Sequence, residues 1–167
     1  MQFFDKKFIS NKKRYLLQCI LATACVFIVL LILDTMANAA VIAALGASSF
    51  IAFTMPHTEQ SRPRYMIGGY VVGILSACFC YYLSIIPTIK QIAFISDHTL
   101  VIFSSIAVGL SIFLMVITDT EHPPAASIAL GLVFNKCNYM SITVVLIGII
   151  TLSLLKFFLK PLLKNLL

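Results

Sequence analysis

Apolar residues along this chain fall into six runs: Leu16–Leu33, Ala39–Met55, Met66–Ile86, Leu100–Ile117, Pro124–Phe134 and Ser141–Phe158. A bilayer core takes about 20 helical residues to cross. The first, third, fourth and sixth runs are long enough, whereas the second and above all the fifth are short. The pattern predicts an all-α, polytopic membrane protein.

Short or interrupted segments in corresponding positions of two halves point to a transporter's binding region. Sliding the chain by 85 residues places Asp34-Thr35 on Asp119-Thr120, Ala40 on Ala125, and Ala44-Leu45-Gly46 on Ala129-Leu130-Gly131, six matches in thirteen positions. This predicts two three-segment halves. Because three is odd, the repeat is inverted if all six segments cross, with the second and fifth segments short or re-entrant.

The stretch Asp119-Thr120-Glu121-His122-Pro123-Pro124-Ala125-Ala126 sets two acids, an imidazole and a Pro pair between apolar runs. Polar backbone at membrane depth is tolerated only where protein buries it or water reaches it. Proline suits the first position of a helix, so a helix is expected to start here. Asp119, Thr120 or Glu121 are expected to serve its free amides. A helix start aims unpaired N–H groups and the positive dipole end outward, which favours an anion. His122 beside it can carry a proton near neutral pH. The alternative is a packed His122 satisfied by a carboxylate or a backbone carbonyl. Asp119 and Glu121 repel an anion and instead cap, pair with His122 or Arg64, or carry protons.

Asp34, close to Asn38 at the end of an apolar run, is either an intramembrane functional group or an interfacial helix cap. Arg64 and Arg62 flank Pro63 at the start of the third segment. Arg64 can hold a planar oxyanion through two parallel hydrogen bonds, and Arg62 reads as a cytoplasmic anchor. Gly46, Gly68, Gly69 and Gly73 form small faces for close helix packing.

Composition agrees with a bilayer solvent. Of 167 residues, 60% are hydrophobic and 11% charged, against about 25% charged in soluble domains. One transmembrane domain over 16–158 is expected, between a basic tail at 1–15 and another at 159–167. The first run is too long for a signal-peptide core. The net charge of +6 gathers at the chain ends and in one loop, as topology determinants and contacts for anionic lipid do, so nucleic acid is not an expected partner. If all six segments cross, ten Lys and Arg lie on one side and only Lys90 and Lys136 on the other; if both short segments re-enter, the split is nine to three. Both termini are cytoplasmic either way, in the cell's inner (plasma) membrane. The five cysteines, Cys19, Cys25, Cys78, Cys80 and Cys137, read as small packing residues. No metal or cofactor is expected. No zinc-ligand spacing, phosphate loop or nucleophile–base pair suggests an enzyme.

Glu121-His122-Pro123-Pro124-Ala125-Ala126 after Thr118-Asp119-Thr120 resembles the signature of the HPP family of integral membrane proteins. Gly46-Ala47-Ser48, Phe53, Pro56, Pro63-Arg64 and Gly68-Gly69 are similar to that family's other recurring stretch. The resemblance implies four transmembrane helices, with both short segments re-entrant, and a small-anion permease, since plastid and cyanobacterial relatives are associated with nitrite. Tyr65 and Tyr70 depart from the Asn and His often found there, which bears on substrate more than on fold.

The expected function is a passive or proton-coupled permease for a small anion such as nitrite. Pro123, Pro124, Ala125 and Ala126 would cradle the anion, His122 would move a proton and Arg64 would supply charge. Asp119, Glu121, Asp34 and Asn38 would position or couple. Membrane lipids and further copies in a homo-oligomer are the expected partners. The alternatives are a cation or proton channel using Asp34, Asp119 and Glu121, or a non-transporting membrane scaffold.

Overall fold

Without water, backbone N–H and C=O groups must pair within their own segment, so each apolar run becomes a helix. In the computed structural model, which describes residues 11–33, 39–90 and 93–166, all regular structure is helical. The helices are α1 (Lys12–Leu33), α2 (Ala39–Thr54), α3 (Pro63–Ser84), α4 (Pro87–Lys90), α5 (Ala93–Ile117), α6 (Pro123–Phe134) and α7 (Tyr139–Leu159), with 3-10 turns at Glu59–Ser61 and Lys160–Leu162. Pro63 and Pro123 start their helices, where the missing N–H is no loss. Asn138 caps α7 by accepting the Met140 N–H at 3.1 Å. His98 kinks α5, with φ −121° and ψ 18°.

Among the described residues, four stretches are long and apolar enough to cross a membrane: Lys12–Leu31, Pro63–Ser84, His98–Ile117 and Tyr139–Leu162. Helices α2 and α6 have 16 and 12 residues; at 1.5 Å per residue they extend roughly 24 and 18 Å. Each is a continuous helix. Large apolar side chains such as Leu16, Phe27, Leu75, Phe79, Phe113 and Phe157 are exposed, as a lipid-facing surface requires.

Hydrogen bonds fix the direction of α2. Gln18, near the start of α1, donates to the Phe53 carbonyl at 2.6 Å and to the Lys164 carbonyl at 2.9 Å. The Leu166 N–H reaches the Thr54 carbonyl at 2.8 Å, and the His57 ring donates to Leu163 O at 3.1 Å. Thus α2 runs antiparallel to α1, and residues 160–166 thread back with Leu163 and Leu166 buried. The start of α1, the loop after α2, the turn after α5 and the end of α7 share one end of the bundle. That end carries Lys12, Lys13, Arg14, Arg62, Arg64, Lys156, Lys160 and Lys164. Lys136 follows α6 at the other, in a turn where Lys136 and Cys137 take positive φ of 56° and 44°.

Helix α1 packs on α2 and α7, and α5 on α6 and α3; α2 also meets α7, and α3 meets α6. Two further pairs, α2 with α6 and α3 with α7, complete the set of strongly packed long helices. Missing side chains set the approach of α3 to α6. A Cβ at Gly73 would lie 2.6 Å from the Ala125 carbonyl oxygen, and one at Gly69 would lie 2.8 Å from His122 Cβ. The Gly69–Gly73 spacing therefore serves packing inside the chain.

Candidate functional site

The turn between α5 and α6 folds back on itself. The Thr120 N–H returns to Met115 O at 3.0 Å, and Asp119 sits at φ 53°, in the left-handed region. Aspartate is among the few non-glycine residues that accept this conformation. The reversal drives His122 inward against Gly69, and its side chain is 0% exposed.

There His122 Nδ1 lies 2.9 Å from the Gln60 carbonyl, and Nε2 lies 2.8 Å from Ser48 Oγ, which is 2.8 Å from the Tyr70 hydroxyl. A carbonyl only accepts, so Nδ1 carries the hydrogen, and in the neutral ring Nε2 accepts. The Ser48 hydroxyl then donates to Nε2 and the Tyr70 phenol donates to Ser48. The result is a directed chain, Tyr70 to Ser48 to His122 to Gln60, linking α3, α2, the α5–α6 turn and the Glu59–Ser61 turn. Ser48 and Tyr70 are also fully buried. Burial pushes His122 below its usual range, to about 4, and the Gln60 bond opposes this only in part. The ring is neutral at ordinary pH.

At the start of α6, three of the four residues expected to cradle an anion offer it no free backbone donor. Pro123 and Pro124 carry no N–H, and the Ala125 N–H donates to His122 O at 2.8 Å. Ala125 and Pro124 are buried. The Pro pair that signals the helix start brings no N–H of its own. The expected capping role also goes unfilled. His122 is the N-cap, without a side-chain cap bond. Thr120 Oγ1 lies 2.8 Å from Thr118 Oγ1, and Asp119 Oδ1 accepts from Tyr65 at 2.8 Å.

Arg64 and His122 lie in the same end of the bundle but do not act on each other. Arg64 Nη2 pairs with Asp119 Oδ2 at 3.0 Å, the two side chains being 64% and 59% exposed, and the Tyr65 ring lies beneath the guanidinium, 5.9 Å away. Glu121 joins Thr58, Glu59, Gln60, Tyr65 and Asp119 around an open cavity of about 530 Å³. A second cavity of about 260 Å³, walled by Ile112, Met115 and Val116, touches Glu121, His122, Pro123 and Ala126. Asp34 and Asn38 lie outside the described residues.

The residues that complete the buried chain, Ser48, Tyr70 and Gln60, carry no local signal of it. Ser48 stands in the sequence only as part of the family-like Gly46-Ala47-Ser48 stretch, and Tyr70 as the loss of a polar position, although its hydroxyl restores one. Among the described residues no group of three His, Cys, Asp or Glu side chains could hold a metal ion, and all five cysteines are free.

A family model described as HPP, transmembrane region, matches residues 9–166. No curated protein and no solved structure matches the chain.

Proposed function

The chain belongs to the HPP transmembrane family, and we propose that it is a proton-coupled permease for a small inorganic anion, with His122 as the proton-bearing group. It is a membrane protein built of apolar helices. One observation carries the transport reading: a neutral imidazole without exposed surface, held on a directed hydrogen-bond chain among α2, α3 and the α5–α6 turn.

A lone proton or a lone anion is costly to bring into such a site. Together they neutralise each other, so protonation of His122 accompanies arrival of the anion. The conjugate base of a weak acid suits this exchange, and nitrite is the natural test ion. The two cavities beside the His122 turn supply approaches. Arg64, drawn onto Asp119, supplies positive charge only when that pair opens.

Six crossings and an inverted repeat belong to this reading. Exchanging α1 with α5, α2 with α6 and α3 with α7 maps every one of the strongly packed pairs of long helices onto another such pair or onto itself, which is what a two-fold relation between halves would produce. The basic end of the bundle, where α1 begins and α7 ends, faces the cytoplasm by the positive-inside bias. Association of several copies would complete the pathway.

A second reading is favoured by the open cavity, where Glu59, Asp119 and Glu121 gather. Carboxylates concentrate cations, and a cation or proton channel would enter there. Purified protein in liposomes separates the two. The permease takes up nitrite faster than empty vesicles, driven by an inward proton gradient, and His122→Gln blunts the coupling. Flux that follows a potassium or proton gradient and ignores nitrite would transfer the assignment to the channel. A sealed membrane for both ions would end the transport reading.

A further inference from the structure

At the basic end of the bundle, Lys156 of α7 is only 4% exposed. Its ammonium donates to the Ser61 carbonyl at 2.7 Å and lies 3.3 Å from Ser61 Oγ. Neither partner carries charge. Among the described residues no carboxylate lies within salt-bridge distance of it: the ion pairs found there are Arg62 with Glu59 and Arg64 with Asp119. A buried cation is ordinarily paired with an anion, and this one has only dipoles.

Lys156 lines a cavity of about 270 Å³ together with Pro56, His57, Arg62, Pro63, Phe157 and Lys160. Arg62 reaches Glu59 only at 3.9 Å, with both side chains mostly exposed, so its guanidinium is held weakly. Three cations therefore surround one hollow, and the prolines and Phe157 give it an apolar wall. Phe157 is itself exposed on the flank of α7, where lipid chains would lie.

We propose that this hollow binds a phosphate group, with Lys156 as the buried counter-charge and Arg62 and Lys160 closing over the oxygens. A phosphate offers several acceptor oxygens at once. Arg62 can take two of them in parallel, and lysine serves as a point charge. Two sources share this chemistry: the headgroup of an anionic phospholipid, whose chains would run along Phe157, and free phosphate from the aqueous side. The site is separate from the His122 chain and does not depend on the permease reading.

The full-length protein, purified in detergent, is titrated with short-chain phosphatidic acid, inorganic phosphate and short-chain phosphatidylcholine, and its melting temperature is followed. Phosphatidic acid is expected to raise it by several degrees, phosphatidylcholine not at all. The double variant Arg62→Gln/Lys160→Gln, which alters only exposed side chains, loses most of the rise. Lys156→Met abolishes it where that variant folds. A shift with phosphatidic acid alone assigns the lipid source, and an equal shift with inorganic phosphate assigns the soluble one. The proposal is overturned if wild type shifts with neither, if phosphatidylcholine matches phosphatidic acid, or if the double variant shifts like wild type.

Discussion

Ser48 and His122 share a 2.8 Å hydrogen bond across 74 positions of chain, and the bond joins the second apolar segment to the turn before the fifth. Both residues are fully buried, so neither has water as a substitute partner. Ser48→Ala strands the Nε2 lone pair and is expected to lower stability by about 1–3 kcal/mol, whereas Tyr70→Phe, which leaves the Ser48–His122 bond in place, costs about 1 kcal/mol. Thermal unfolding in detergent distinguishes them. Equal losses would mean that the Ser48–His122 bond adds nothing to the stability that the Tyr70–Ser48 bond supplies.

The depressed pKa of His122, about 4, makes stability fall with acid. The folded protein resists a proton that the unfolded chain accepts near 6.5. The contribution is complete above that value, declines as pH falls toward 4, and is then fully lost. The total is on the order of 3 kcal/mol. Melting temperatures between pH 7.5 and 4.5 should show the decline, and His122→Gln should flatten it. An unchanged slope in the variant would assign the acid sensitivity elsewhere.

Glycine positions divide by what surrounds them. Gly73→Ala would push a methyl to within 2.6 Å of the Ala125 carbonyl oxygen and is expected to cost about 1–3 kcal/mol as overpacking. Gly46 and Gly109 face open space. Alanine there should leave stability unchanged or raise it by up to about 1 kcal/mol through helix propensity. Parallel melts of the three variants test the contrast.

Asp119 combines positive φ with two polar contacts. Asp119→Asn keeps the left-handed backbone accessible and an acceptor for Tyr65, so its melting temperature should stay near wild type. Asp119→Val places a β-branched side chain where sterics disfavour it and should melt clearly lower. Arg64→Ala removes a mostly exposed ion pair, of a kind worth little, with a long 3.4 Å bond to Thr118 O and the stack of that exposed guanidinium on Tyr65, and its melting temperature should barely move. A large loss in Arg64→Ala would mean the pair holds the turn in place.

Apolar run length was enough to locate every long helix. The second, fifth and sixth runs agree with α2, α6 and α7 to within two residues at either end, because a segment in lipid has few options besides helix. The first, third and fourth runs start late: Lys12-Lys13-Arg14 belongs to α1, Pro63-Arg64 to α3, and α5 begins at Ala93. There the helix continues through polar residues that the hydropathy of a window excludes.

The site was legible only in its anchor. His122 is marked by the Pro pair and the acids before it, but how many amides stay free at that helix start is not written in the pair. Proline both starts a helix and deletes its donors, and the Ala125 N–H turned back to His122 O. Lys156 looked like one more interfacial cation, and nothing near it in the chain indicates that its ammonium ends on Ser61.

The sequence alone determined that this chain lives in a bilayer, where its helices run and which turn interrupts them, since hydrophobic length and turn chemistry are local properties. The tertiary structure alone decided which polar groups meet. A buried hydroxyl, phenol, imidazole or ammonium takes whichever partner the packing of distant helices delivers, and missing glycine side chains set how closely those helices pack.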